Sequence, residues 1–350
     1  MTNFLVDSDK KLLNLASKLE DVKQIGLDTE FIRESTYRPI LALVQISLPN
    51  GEIYLIDPVT IHRRDLIGYI ISSSELIKII HSSKQDIEAL YSYTNTYPAN
   101  IFDTQIASNF VYENSNAGYS TLVKNLCDCD IKEGSWRTNW LERPLSSKKV
   151  DYAADDVRYL IKIKSLLTNR LKTLDRFSWF EEEQINELKK SNIIIDPNDA
   201  WKKINYPLHY SNQELDLLKK IACWREELAI KYDIPKRWIF SDSSAIKIML
   251  KNDKKTMDVI VNIKQELKDN EVNALMKILA LKKEIKNKNL ISKKDIGKKC
   301  SELLGYVSNE FNIDSTMIAT KRDLEIFTNT NSTARFMKGW RYQIFGKLVQ

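Results

Sequence analysis

Five residues in the first half of the chain are spaced for chemistry. Asp28 and Glu30 stand at i and i+2 in DTEF (28–31), inside a run that reads as a strand. Both carboxylates therefore point to one face of a sheet. Asp86, in HSSKQDIEAL (81–90), sits just inside a helix that follows a strand, where it projects over the end of the sheet. Tyr152 and Asp156, in YAADDVRYL (152–160), lie at i and i+4 on one helical face, with Ala153, Val157 and Leu160 on the neighbouring one. Taken singly, D-x-E and Y-x-x-x-D recur in any charged protein and describe surface salt bridges. Here each carboxylate is embedded in apolar sequence, and burying several like charges is costly unless a cation neutralises them. Oxygen-only donors select hard ions such as Mg²⁺ or Mn²⁺ over zinc. Two such ions would stabilise the attacking and leaving oxygens of a phosphodiester hydrolysis.

The elements that must position these groups read as α/β. A helix near 8–20 carries Leu12, Leu13, Ala16 and Leu19 at helical spacing. Short β-rich runs follow at 24–31, 40–48, 52–58 and 76–81, with turn residues Pro49, Asn50 and Gly51 between the second and third. Helices then alternate with one more extended piece, 100–103. A three-stranded meander followed by β/α alternation predicts a mixed sheet with helices packed on it. Beyond about residue 191 a stretch with Pro197 and Pro207 reads as a connector, and no convincing strand comes after it. Leu217, Ile221, Trp224 and Leu228 form one apolar stripe of a helix over 212–230, and further helical patterns occupy 242–250, 255–267, 270–283 and 297–349.

Composition narrows the classes. With 43% hydrophobic and 29% charged residues, the 350-residue chain is ordinary globular material, long enough for two or three cores. Neither GxGxxG nor GxxxxGK[ST] occurs, which removes the common nucleotide-cradling loops. No run of about 18 apolar residues is present, and the first 20 residues lack an apolar signal region, so a cytoplasmic protein without a membrane span is expected. Cys127, Cys129, Cys223 and Cys300 show no zinc spacing and read as reduced thiols. Charge is unevenly divided: residues 201–350 hold 29 Lys/Arg against 18 Asp/Glu, a surplus of +11, whereas residues 1–200 hold 24 against 29, or −5. An acidic half bearing cations and a basic half bearing a polyanion is one reading, and a solvated basic surface is the other.

The three carboxylate blocks, in this order, resemble the Exo I, II and III motifs of the DEDD exonuclease superfamily, and Tyr152 corresponds to its tyrosine subclass. The surrounding text resembles the ribonuclease D family: RESTYRPILALVQIS (33–47), IIHSSKQDIEAL (79–90), NIFDTQIAS (100–108) and NWLERPLSSKKVDYAADDVRYL (139–160). Asn139 departs from it, standing where the family carries an acid. The resemblance implies a ribonuclease H-like α/β exonuclease domain over 1–190, a linker over 191–210, and all-α HRDC modules over 211–283 and, more divergent, 284–350. The motif of the first module is DIPKRWIFSDSSAIKIML (233–250). It implies that Asp28, Glu30, Asp86 and Asp156 bind two divalent ions, Mg²⁺ or Mn²⁺, and that Tyr152 orients the attacking water. The implied activity is 3′→5′ removal of 5′-mononucleotides from RNA with a free 3′-OH, tRNA precursors among them, with no obligate protein partner evident. A DNA 3′→5′ exonuclease is the alternative; an inactive scaffold is disfavoured by the complete motif set. Lys236 and Arg237 are candidate RNA-backbone contacts, whereas Trp224 and Trp238 read as core. Asp103 is expected to cap a helix and His81 to pack at a strand end. Asp151 and Asp155 are expected to face solvent or support the ligands, and Arg33 and Arg143 to contact phosphate or form ion pairs.

Overall fold

A computed structural model describes residues 3–112, 116–131, 138–190, 196–206, 211–250, 268–280, 294–329 and 334–350. The helical pattern expected at 255–267 lies outside the described residues, as does the basic run 281–299 up to residue 293.

Six strands form one mixed sheet: β1 (Asn3–Val6), β2 (Gln24–Ile32), β3 (Ile40–Ser47), β4 (Ile53–Ile56), β5 (Ile77–Ile80) and β6 (Ile101–Asp103), in the order β1-β4-β3-β2-β5-β6. β2, β3 and β4 make the expected antiparallel meander. β5 and β6 add in parallel beyond β2, and β1 adds in parallel to β4 at the other edge. β1 is an addition to the sequence reading. Four residues, NFLV, carry too little periodicity to announce a strand, and β1 exists because β4 offers an open edge.

Helices cover both faces. α1 (Asp9–Leu19), α2 (Arg64–Ser72) and α3 (Lys84–Thr94) pack on the face of Ile25, Leu27, Val44 and Ile46. α6 (Ser147–Arg158) and α7 (Leu160–Thr173) pack on the other, joined at their edge by α8 (Phe177–Lys190). The short helices α4 (Thr104–Ser108) and α5 (Tyr119–Cys127) complete that layer. α6 lies unusually close to β2. A Cβ on Gly26 would meet Ser47 Oγ at 2.3 Å and the Val157 carbonyl at 3.0 Å, so only glycine fits there.

The C-terminal half is helical. α9 (Asn212–Tyr232) begins with a capping box, Ser211 and Glu214 bonding each other's backbone, and its stripe Leu217, Ile221, Trp224 and Leu228 is buried as expected. α10 (Lys236–Ile239), α11 (Asp242–Leu250) and the helix Asp269–Ala280 close a core around that stripe. Residues 197–203, expected to connect, form a 3-10 helix that joins this core through Ala200, with Ile204 buried just beyond it. The last segment, by contrast, packs on the α/β side. Trp340 stacks on Trp179 with centroids 5.4 Å apart, and Arg341 makes a buried ion pair with Glu183 of α8 at 2.6 Å. No helix among the described residues is long and apolar enough to cross a membrane.

Candidate active site

β2 delivers Asp28 and Glu30 to the face beneath α6, and the ladder slips by one residue just after Glu30. α6 starts at the N-cap Ser146 and buries Ala153, Ala154 and Val157 against the sheet, which fixes its rotation. Ser47 Oγ donates to the Val157 carbonyl at 2.7 Å and pins the helix at the turn that carries Asp156. As a result Asp28, Glu30 and Asp156 each offer a carboxylate oxygen within 4.8 Å of the others. Among the described residues no other set of acidic, His or Cys side chains meets that condition.

Asp86 arrives differently. It lies in the first turn of α3, on the opposite face of the sheet, where it is buried and accepts a 2.6 Å hydrogen bond from Thr29 Oγ1. Thr29 alternates with Asp28 and Glu30 along β2, so its hydroxyl points away from them and toward α3. Asp86 is thus outside the tight group of three yet within electrostatic reach of Asp28 and Glu30.

Burial and mutual repulsion dominate the electrostatics. Burial first, then the charges of Asp86, Asp156 and Glu30, hold the Asp28 carboxyl far above the usual carboxylate range. Burial followed by Asp156 and Asp86 pushes Glu30 up to about 9. Asp156 is pushed up to about 7 by burial and then by Asp155, against the lowering effect of a hydrogen bond from Tyr152. Burial likewise pushes Asp86 up to about 7, opposed by its bond from Thr29. An all-oxygen donor set whose members repel one another in a half-buried site fits a hard divalent cation. Tyr152, half-buried beside the Trp140 ring at 5.9 Å, has its phenol held well above the ordinary range by burial and by Asp156, Glu30 and Asp28.

The remaining expected residues take supporting positions. Asp103 caps α4, accepting from the Gln105 and Ile106 amides, and also accepts from the amides of Ser82 and Ser83 at the start of α3. His81 packs on Tyr119, its Nδ1 against Thr104 Oγ1 at 3.0 Å, and burial lowers its pKa. Asp155 pairs with Arg158 at 2.7 Å, and Asp151 is exposed. Arg143 donates to both oxygens of buried Asp57 at 2.5 and 2.6 Å and to the carbonyls of Ala42, Trp140 and Glu142. It fastens the loop before α6 to the sheet. Arg33 pairs with Glu88 at 2.6 Å. Asn139 Oδ1 accepts from the Leu141 amide in a local turn. Lys236 lies 3.3 Å from buried Glu226, and Arg237 is exposed. Thr29 and Asp57 were not singled out from sequence; their partners lie 57 and 86 residues away.

Known proteins resemble this chain in sequence and fold. A 3′-5′ exonuclease family model matches residues 3–172. Ribonuclease D of Bartonella henselae is 32% identical over 343 residues, covering 93% of this chain and 84% of that protein. Ribonuclease D of Zymomonas mobilis is 28% identical, covering 98% and 92%. Among solved structures, Escherichia coli RNase D superposes with a TM-score of 0.82 at 22% identity, over 100% of this chain and 98% of that one. A 32% identical relative covered over most of its length, the exonuclease model and the shared mixed-sheet fold converge: this chain belongs to the ribonuclease D family and is a 3′→5′ exoribonuclease.

Proposed function

We propose that Asp28, Glu30 and Asp156 hold a divalent cation, that Asp86 helps to hold a second, and that the enzyme trims structured RNA such as tRNA precursors one 5′-mononucleotide at a time. The observation that carries this reading is the approach of three carboxylates from two elements to within 4.8 Å in a half-buried site. Mg²⁺ or Mn²⁺ bound there supplies Lewis acidity and neutralises charge that develops on the scissile phosphate. The protein's own part is positioning. The β2 ladder and the Ser47 contact to α6 fix the carboxylates before substrate arrives. Thr29 holds Asp86 in one orientation. The Tyr152 phenol stays protonated at working pH, so it acts through its hydrogen bonds: it orients the attacking water and removes no proton itself.

Residues 1–190 act as the exonuclease domain, 191–210 as the linker, and 211–283 and 284–350 as HRDC modules that hold the RNA body, Lys236 and Arg237 contacting its backbone. The +11 surplus over 201–350 supports that division, and the Escherichia coli relative is described as acting in structured RNA processing. The test is digestion of matched 3′-tailed RNA and DNA with Mg²⁺, Mn²⁺ or chelator. RNA should be shortened from its 3′ end to 5′-mononucleotides, and chelator should stop it. Digestion that survives chelation, or DNA cleaved faster than RNA, would overturn the reading.

A further inference from the structure

Strand register sets Gln45 of β3 directly opposite Asp28 of β2, with Leu55 of β4 on its other side. Partners across a ladder share a face, so Gln45 stands on the same face as Asp28 and Glu30, beneath α6. Two residues along that face, Ser47 binds the carbonyl of Val157, the neighbour of Asp156. Gln45 is 0% exposed, and neither Nε2 nor Oε1 of its amide has a hydrogen-bond partner among the described residues. The rest of β3 from Leu41 to Ile46 is apolar and buried. Leucine or methionine would satisfy such a position, whereas an amide left without partners there costs free energy. Its location suggests the reason, because cross-strand partners stand about 4.5–5.5 Å apart at Cβ, within reach of a glutamine amide or of one bridging water.

We propose that Gln45 is a positioning residue for Asp28: its amide N–H donates to the carboxylate oxygen turned away from the cation, directly or through one water, and fixes the oxygen that Asp28 presents. This rests on the reading of Asp28 as a cation ligand. Carboxylate ligands are commonly held by an outer hydrogen bond, and losing that bond weakens metal affinity by about 10- to 100-fold.

The test uses full-length protein without RNA, titrated calorimetrically with Mn²⁺ as wild type, Asp28→Asn and Gln45→Met. Gln45→Met should bind Mn²⁺ roughly 10- to 100-fold more weakly, while its metal-free melting temperature equals or exceeds that of wild type. At saturating Mn²⁺ its single-turnover rate should approach the wild-type rate, because the amide touches no substrate. A purely structural glutamine would leave Mn²⁺ affinity within about twofold whatever the change in melting temperature, and that result overturns the proposal. Should Asp28→Asn bind Mn²⁺ as wild type does, the ligand reading falls, and this inference with it. Loss in Asp28→Asn with retention in Gln45→Met removes Gln45 alone. A crystal structure of the wild-type protein with Mn²⁺ decides independently of any variant's folding. Nε2 within hydrogen-bond distance of the Asp28 carboxylate, or of a water bridging to it, supports the role, and an amide still without a partner overturns it.

Discussion

At the scale of single residues, the carboxylates of Asp28, Glu30 and Asp156 oppose the fold that assembles them. Each is pushed above its ordinary range chiefly by burial and by the charges around it. Asp28→Asn removes a carboxyl whose charged form the metal-free fold disfavours, with little change in shape. It should raise the metal-free melting temperature by a few degrees, the response of a chain this size to roughly 1 kcal/mol. The same change should abolish the stabilisation that Mn²⁺ gives wild type and slow hydrolysis by at least about a thousandfold. Melts in chelator and in Mn²⁺, with single-turnover assays, check all three; activity above about a tenth of wild type would remove Asp28 from the site. Tyr152→Phe separates water orientation from ligation: turnover should fall substantially while calorimetric Mn²⁺ affinity stays near wild type. Weaker metal binding with normal turnover would reverse that assignment. These residues were legible because each pair is local, i and i+2 on a strand or i and i+4 on a helix. Thr29 and Gln45 were not, since a hydrogen bond spanning 57 residues and a ladder register exist only in the folded sheet.

At the scale of elements, β5 shows how a strand accommodates a charge. The segment IKII pairs on both sides, Lys78 opposite Ile25 and Ile101, and the lysine is wholly buried. Its Nζ donates to the carbonyls of Ser73 and Leu76 at 2.6 and 2.8 Å, in the turn that leaves α2. Burial pushes this amine down to about 8, against about 10.4 in an unfolded chain. Between those values the unfolded chain binds a proton that the folded protein does not, so stability rises with pH across the window. Wild type should therefore gain on Lys78→Met by about 2–3 kcal/mol from pH 8 to pH 10. Denaturant midpoints of both proteins at the two pH values measure the gain, and a wild-type stability that stays constant or falls relative to Lys78→Met counts against a depressed amine. Lys78 carried no signal in the sequence, because a lysine in an apolar run reads as solvent-facing. The meander was legible from short β-rich runs and the turn residues between them, and α9 from its stripe. The 3-10 helix at 197–203 was not, since prolines and short range look the same in a linker and in a capping turn.

At the scale of the whole molecule, the charge asymmetry could be counted from the sequence, but the joining of the two halves could not. Glu183 and Arg341 are separated by 158 residues, and Trp340 reaches both Trp179 and Phe110. Cutting the chain near residue 200 would strip that apolar contact from α8, so the role of the basic half is better tested in the intact protein. The two candidate RNA contacts also separate here. Lys236 is committed to Glu226, which also accepts from Tyr37 of the β2–β3 loop at 2.5 Å, so changing Lys236 disturbs a junction between the halves. Arg237 is exposed on the same short helix and can be reversed in sign without opening that junction. Each phosphate contact contributes close to one unit to the slope of log affinity against log salt. Arg237→Glu should therefore bind a tRNA-like substrate several-fold more weakly, with a slope shallower by about one unit. Turnover of a saturating short oligonucleotide should be unchanged, because the carboxylates and Tyr152 proposed to act in hydrolysis all lie in the other half. Equal affinities and equal slopes for Arg237→Glu and wild type would remove Arg237 from the proposed RNA contacts.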